Sequence, residues 1–210
     1  MKFEDLLALA GKQPLFETGL LLTGNVNRAD VLRQLSRWAR AGKIRQLRRG
    51  LYTLAPPYQQ VAPHPFTIAN ALIAGSYVSG QSALAHYGLI PEYAPRILSV
   101  TTLRAAQWDE FYFRRVASKL FFGYQSIDLP QGQSAFIAAP EKALLDLAHF
   151  TPNSDSANYL SQLRLQNLER LNLGRLDEFA ARSGKPKWKR VARQITLLAE
   201  QEKSDYEDLP

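Results

Sequence analysis

The chain has 210 residues, of which 46% are hydrophobic and 21% charged, a balance typical of a globular protein with one large domain or two small ones. It contains no cysteine, which excludes disulfides, thiolate metal ligands and a cysteine nucleophile. No apolar run reaches the ~18 residues of a membrane-spanning helix and no signal peptide is recognisable, so we expect a cytoplasmic protein without a membrane partner.

The net charge of +7 is distributed unevenly along the chain. Residues 1–60 contain ten Lys or Arg and four Asp or Glu, whereas residues 61–210 contain sixteen and fifteen. Between residues 28 and 49 there are eight basic residues and one acid, Asp30. This local excess is typical of a nucleic-acid contact, and the alternative is a solvated basic face without a function.

The chain begins with two predicted helices. Apolar residues at helical spacing predict the first over residues 3–10, ending at Gly11. Residues 15–22 are predicted as a second, short helix, and Thr23-Gly24-Asn25 as a turn.

The third predicted helix has the clearest signals. Asn27 is placed to cap it, the helix runs to Ala41, and Gly42 follows where a left-handed residue is favoured. Its predicted outer face carries Arg33, Arg37 and Arg40. Its predicted inner face consists of Val31, Leu32, Leu35, Trp38 and Ala39.

A β-hairpin is predicted next, from "KIRQL" and "LYTL" joined by Arg48-Arg49-Gly50, because glycine allows the backbone of a tight turn. Three helices and a basic hairpin predict a winged helix-turn-helix DNA-binding domain over residues 1–55. We interpret Trp38 and Tyr52 as core residues. Residues 56–65, which are rich in proline, are predicted to form a linker.

The remainder is predicted to be a mixed α/β domain over residues 66–202, so the whole chain is expected to be α+β. Helices are predicted from "FTIANALIAG" and "GQSALAHYGL", and a small sheet from "RILSVTT", "EFYFRRVA", "YQSIDL" and "SAFIAA". Pro140 is predicted to open a helix, and the following residues are predicted to be helical. Residues 203–210 are expected to form a frayed acidic tail.

Double-stranded DNA is the partner that the first domain predicts. Arginine and glutamine side chains can read base edges in the major groove, and lysine and arginine bind phosphate. The candidates at the helix are Asn27, Arg28, Arg33, Gln34 and Arg37 for its start and the base edges, with Arg40 and Lys43 for phosphate. On the hairpin they are Arg45, Arg48 and Arg49, for the backbone or the minor groove.

Signals for catalysis are weak, and we expect no enzyme, cofactor or metal site. His64, His86 and His149 are too far apart for a short metal-ligand motif. Asp128 with Glu141-Lys142 loosely resembles a metal-dependent nuclease, but Pro140 stands where an acid is needed. Instead, we expect Glu141, Lys142 and Asp146 to lie in the first turn and on the exposed face of a packed helix.

Two further basic clusters, Arg114-Arg115 and Lys185–Arg190, leave three interpretations open. They could extend a DNA contact, bind an acidic partner or form solvated faces.

The sequence resembles the AbiEi antitoxin family of type IV toxin–antitoxin and abortive-infection systems, over roughly residues 14 to 150. The resemblance rests on "RQLSRWARAGKIRQLRRGLYTLAP", "HPFTIANALIAGSYVSGQSALAHYGLIPE", "LFFGY" and "APEKALLDLAHFTP". The family pattern often has threonine before Pro-Glu-Lys, and this chain has Ala139, which removes a potential helix cap.

The resemblance implies an autorepressor that binds inverted repeats in its own promoter and a C-terminal domain that counters a nucleotidyltransferase-like toxin. We expect a monomer in solution and two copies on DNA, because no heptad pattern predicts a stable dimer. One alternative is a winged-helix regulator that senses a small ligand and has no toxin partner. Another is an enzyme within residues 66–202.

Overall fold

The structure is a computed structural model, and it describes residues 1–23, 26–91 and 95–207. It divides into two compact units. The first unit consists of Met1–Ala74 and Asp128–Ser134, and the second of Gly75–Ile127 and Ala135–Pro210. Helices and two sheets together make the chain an α+β protein, as expected from the sequence.

In its described residues, the first unit contains three α-helices and a three-stranded antiparallel sheet with the strand order β1-β3-β2. A 3-10 turn, Thr18–Leu22, follows β1. In chain order the elements are α1 (Phe3–Ala10), β1 (Phe16–Glu17), α2 (Arg28–Arg40), β2 (Ile44–Arg48), β3 (Leu51–Leu54) and α3 (Pro65–Leu72).

The prediction of a helix over residues 15–22 is wrong in its first half. Phe16 pairs with Tyr52 of β3, and its buried ring stacks on the Tyr52 ring at a centroid distance of 5.6 Å. Glycine at position 19 weakens the helix, and pairing with the hairpin satisfies the backbone of this segment instead. Of the turn predicted at Thr23-Gly24-Asn25, the last two residues lie outside the described ones.

The core of the first unit lies between α1, α2 and the sheet. It contains one face of each helix and the inner residues of the strands. Its largest members include Phe3, Leu6, Phe16, Leu35, Trp38, Ile44, Tyr52 and Leu54.

The second unit contains most of a six-stranded sheet with the order β6-β7-β5-β4-β9-β8. Its strands are β4 (Tyr77–Val78), β5 (Ile97–Thr101), β6 (Ala106–Trp108), β7 (Phe111–Arg115), β8 (Tyr124–Leu129) and β9 (Gln133–Ala138). The helices are α4 (Gly80–His86), α5 (Pro140–Phe150), α6 (Ala157–Gln162), α7 (Leu173–Ser183) and α8 (Pro186–Glu207).

The sheet is mixed. β4 pairs antiparallel with β5 and parallel with β9, and β7 pairs parallel with β5 and antiparallel with β6. β4 and β6 were not predicted, because runs of two and three residues are too short to show a strand pattern.

Two predicted boundaries differ from the structure. Residues 56–65, predicted as a linker, lie inside the first unit, which continues through α3 to Ala74. The tail predicted at 203–210 differs from the structure over its first five residues, because α8 continues to Glu207, and residues 208–210 lie outside the described ones. Within the described residues, no helix combines the length and the apolar character that crossing a membrane requires.

Candidate nucleic-acid interface and buried charged cluster

Helix α2 presents a row of arginines to solvent. Asn27 caps the helix, since its side-chain oxygen accepts hydrogen bonds from the backbone N–H groups of Ala29, at 2.8 Å, and Asp30, at 3.4 Å. The helix ends at Arg40, and Gly42 beyond it has the predicted left-handed conformation, with φ +67°. The arginines exposed along the helix are Arg28, Arg33, Arg37 and Arg40.

The inner face of α2 is narrower than the sequence predicts. Val31, Leu35 and Trp38 are buried, but Leu32 is 41% exposed, so its predicted place on the packed face is wrong. Leu32 lies one residue beyond the buried row at Val31, where the helix surface has turned towards solvent. Arg33 forms an ion pair with Asp30 one turn before it.

The hairpin of β2 and β3 carries two exposed arginines, Arg45 and Arg49, next to a tight turn. Gly50 at the turn has φ +84°, a conformation that residues with a Cβ rarely adopt. The Thr18 N–H donates to the Gly50 carbonyl at 2.9 Å, which anchors the turn to the body of the unit.

Arg48 differs from its neighbours because its guanidinium is engaged within the first unit. It donates to the carbonyl of Ala71 in α3 at 3.1 Å and approaches the Glu17 carboxylate at 3.5 Å. Lys43 is also partly buried, and its Nζ lies 4.5 Å from the centre of the Phe3 ring. These two cations therefore stabilise the unit as well as adding positive charge.

A hollow of about 590 Å³ lies beside the first half of α2. It brings several predicted site residues together with two exposed apolar side chains, Met1 and Val26. Trp38 and Tyr52 are only 7% and 5% exposed, which confirms their prediction as core residues. The residues that line the hollow are Met1, Val26, Asn27, Asp30, Val31, Arg33, Gln34 and Arg37.

In the second unit, Lys142 and Asp146 form an ion pair on α5, and neither side chain is exposed. The Lys142 ammonium also donates to the Tyr77 hydroxyl at 2.9 Å. The Asp146 carboxylate accepts hydrogen bonds from the Tyr77 hydroxyl at 3.0 Å and the Ser79 hydroxyl at 2.8 Å. We call Tyr77, Ser79, Lys142 and Asp146 the buried charged cluster.

The prediction that Glu141, Lys142 and Asp146 lie on an exposed face of this helix is therefore wrong. Lys142 and Asp146 are fully buried, and Glu141 is 1% exposed. This burial could have been identified from the sequence. Most residues of "PEKALLDLAHF" other than the charged ones are apolar, so α5 has no polar face to turn towards solvent. The two charges stand at i and i+4, the spacing at which side chains on a helix pair.

Burial controls the protonation of the buried charged cluster. It lowers the pKa of the Lys142 ammonium, and the nearby Asp146 carboxylate opposes that shift. Burial also raises the pKa of the Tyr77 phenol, and the same carboxylate adds to the effect. The rings of Tyr77, Phe122 and Trp188 surround Lys142, with centroids 5.4, 5.5 and 5.1 Å from its Nζ. Since these charges are enclosed, the arrangement holds β4 against α5.

Glu141 connects α5 to the start of α7. Its Oε1 accepts a hydrogen bond of 2.7 Å from the backbone N–H of Asn172, the N-cap of α7. Its Oε2 lies 3.7 Å from the guanidinium of Arg175. Glu141, Lys142 and Asp146 of α5 thus make their contacts inside the second unit.

An open groove of about 760 Å³ lies between the 3-10 turn Leu168–Arg170 and the second half of α8. Three leucines and an alanine form its apolar lining, and acidic side chains lie among them. The residues that line it are Asn167, Leu168, Glu169, Leu171, Leu173, Ala199, Glu200, Glu202 and Lys203.

The two secondary basic clusters lie in different settings within the second unit. Arg114 and Arg115 are exposed on β7. In the Lys185–Arg190 cluster, by contrast, Lys187 donates to the carbonyl of Thr151 at 2.6 Å and Arg190 pairs with Asp155 at 2.7 Å. The second cluster therefore has structural partners inside its own unit.

Across residues 1–23, 26–91 and 95–207, no group of three or more His, Asp or Glu residues is arranged to hold a metal ion. No protein-family model and no curated protein matches the chain.

Proposed function

We propose that the first unit is a winged helix-turn-helix that binds double-stranded DNA, with α2 in the major groove and the β2–β3 hairpin as the wing. The row of exposed arginines on α2, whose other face is buried in the core, carries this proposal. An α-helix fits the major groove of B-DNA, and arginine pairs with guanine or binds phosphate. A purely structural helix would not need this arginine row.

The residues divide by the part of DNA that they meet. Arg33, Gln34 and Arg37 face base edges, and Asn27 and Arg28 hold the start of the helix at the groove. Arg40 and Lys43 bind phosphate, and Arg45 and Arg49 bind the backbone or the minor groove beside the wing. Arg48 supports the wing through its bond to Ala71 and contributes charge rather than a direct contact.

The dependence of binding on salt tests this proposal. Apart from Arg33 and Arg37, which face base edges, this surface carries six positive charges: Arg28, Arg40, Lys43, Arg45, Arg48 and Arg49. If they neutralise about six phosphates, log K for DNA from the chain's own promoter falls against log[salt] with a slope of about −5. A flat response would rule out the interface.

Variants separate base reading from phosphate binding. Arg37→Ala is expected to cost about 1–3 kcal/mol on the preferred sequence and little on unrelated DNA. Arg49→Ala is expected to weaken binding to all duplexes alike and to reduce the salt slope by about 1. Arg193→Ala, an exposed arginine on α8, is the matched control and should leave both quantities unchanged.

We further propose that the chain is the antitoxin of a type IV system, represses its own promoter as two copies on an inverted repeat, and counters a nucleotidyltransferase-like toxin. The order of the motifs "SYVSGQSALAHYGLIPE" and "APEKALLDL" supports this proposal. Co-expression with the neighbouring gene tests it: the full chain should restore growth, and the Arg37→Ala, Arg49→Ala double variant should restore growth but lose repression. If the wild-type chain fails to restore growth, the antitoxin proposal is rejected.

The groove beside α8 favours a second candidate, a DNA-binding regulator that senses a small molecule. Its volume of about 760 Å³ falls within the range of ligand sites, and its lining is mainly apolar with a few polar groups. The neighbouring gene distinguishes the candidates, because a nucleotidyltransferase-like neighbour is expected only for the antitoxin.

A further inference from the structure

An apolar side chain lies among the polar groups of the DNA-binding surface proposed above. Val26, directly before the helix cap Asn27, is 44% exposed and lines the hollow of about 590 Å³ beside α2. Gln34 and Arg37 line the same hollow. A single exposed valine is ordinary on a protein surface, but this one shares a concave site with two side chains suited to reading bases.

The chemistry of the hollow favours a base edge over a phosphate. The carboxylate of Asp30 lines it and pairs with the guanidinium of Arg33, which leaves less positive charge there to hold a phosphate. A valine methyl gains nothing from a phosphate oxygen either. On the floor of the major groove, by contrast, thymine presents a C5-methyl group, an apolar feature that a valine side chain can bury.

Gln34 adds a second constraint on the base pair. The glutamine amide can donate to N7 and accept from N6–H of adenine through its two ends in the bidentate pairing typical of this side chain. Adenine and thymine belong to the same pair, so an A·T pair satisfies Gln34 and Val26 together. A G·C pair offers neither the methyl group nor the adenine pattern.

We propose that this hollow reads A·T base pairs of the DNA site, with Val26 contacting the thymine methyl group and Gln34 contacting the adenine edge. The inference rests on the proposed DNA-binding function and deepens it, since it names the base pairs that the start of α2 selects. Arg37 then reads the adjoining position, where guanine is the base that arginine prefers.

Replacing thymidine with deoxyuridine tests the methyl contact, because uracil keeps every hydrogen-bonding group and lacks only that methyl. The full chain is titrated with its promoter duplex in both forms by fluorescence anisotropy at one salt concentration. The wild-type chain is expected to bind the uracil duplex about fourfold more weakly for each methyl contacted. The Val26→Ser variant should bind both duplexes equally.

Leu32→Ser is the matched control. Leu32 is exposed to a similar extent, 41%, but it does not line the hollow, so this variant should keep the preference for thymine. For Gln34, duplexes with 7-deazaadenine, which lacks N7, should bind the wild-type chain about fivefold more weakly and make no difference to Gln34→Ala.

Three results would overturn the inference: equal wild-type affinity for the thymine and uracil duplexes, a thymine preference that survives in Val26→Ser, or one that is lost in Leu32→Ser. The failure of the DNA-binding proposal is distinguishable from these. It would appear as an absence of salt-dependent binding to either duplex, and it would reject this inference together with the function.

Discussion

Single charged residues behave in opposite ways in the two units. The arginines of α2 project into solvent, where their charge can attract a polyanion at long range. Lys142 and Asp146 are enclosed, and each is tolerated only because the other lies beside it and hydroxyl groups complete the hydrogen bonds. A buried pair of this kind contributes little net stability, but the removal of one partner leaves an uncompensated charge in the core.

We therefore expect Lys142→Met to destabilise the protein by about 3–5 kcal/mol, because the Asp146 carboxylate remains buried without its cation. The double variant Lys142→Met, Asp146→Leu removes both charges and should be clearly more stable than the single variant. Urea denaturation followed by circular dichroism measures both free energies of unfolding. Lys189→Met, at an exposed position on α8, is the control and should change the free energy by less than about 0.5 kcal/mol.

A double variant that is no more stable than Lys142→Met would contradict this account. It would mean that packing around the lysine stem, rather than the unpaired charge, determines the loss of stability.

The exposure of a charged side chain could be predicted from the sequence only where residues of its own helix determine it. Arg33, Arg37 and Arg40 were predicted to be exposed because buried residues on the same helix point the other way. Lys142 and Asp146 were predicted to be exposed because charged side chains are rarely buried. Only the apolar surroundings on α5 oppose that expectation, and the partners that make burial tolerable, Tyr77 and Ser79, are remote in the sequence.

Among the elements, α2 has the most demanding role in the proposed function, because one helix must be stable at its first turn and also contact DNA. Asn27 provides the stability by accepting hydrogen bonds from the first turn. It also lines the hollow that we propose to contact the bases. Its two roles can be separated by the charge of the replacement.

We expect Asn27→Ala to destabilise the protein by about 1 kcal/mol, because the cap is lost. Asn27→Asp keeps the cap, and its negative charge is favourable at a helix N-terminus, so the stability should be unchanged or slightly higher. The same charge repels phosphate, and affinity for DNA should fall. Thermal unfolding measures the first effect, and a promoter titration the second; equal DNA affinity for the wild type and Asn27→Asp would contradict a place for Asn27 at the DNA.

The elements that could be predicted are those with strong local signals. α2 has a cap, an apolar row and a terminal glycine, and α5 begins at Pro140. β5 and β7 are β-prone runs of five residues each. β1 and β4 have two residues each and exist because neighbouring strands pair with them, which no local pattern encodes.

At the scale of the whole molecule, each of the two units consists of two separate segments of the chain. Asp128–Ser134 belongs to the first unit, although the rest of that unit ends at Ala74. Gln133 makes this connection within the first unit: its amide accepts from the His64 N–H at 2.8 Å and donates to the Ala62 carbonyl at 2.9 Å. The predicted linker at 56–65 therefore has fixed partners, and the sequence could not reveal them across about 70 residues.

Gln133 should therefore be required for the stability of the first unit. Gln133→Ala removes one hydrogen bond from each of two backbone groups, and we expect a loss of about 2 kcal/mol in the free energy of unfolding. Gln133→Glu can still accept from His64, but it places a carboxylate against the Ala62 carbonyl, so it should fold less stably than the wild type too. Chemical denaturation measures the free energy of unfolding of each variant. Hydrogen exchange at the His64 amide shows whether the loss of stability is local. Gln162→Ala, at an exposed position on α6, is the control. Unchanged protection of the His64 amide in Gln133→Ala would contradict this account, because it would show that residues 56–65 hold their conformation without Gln133.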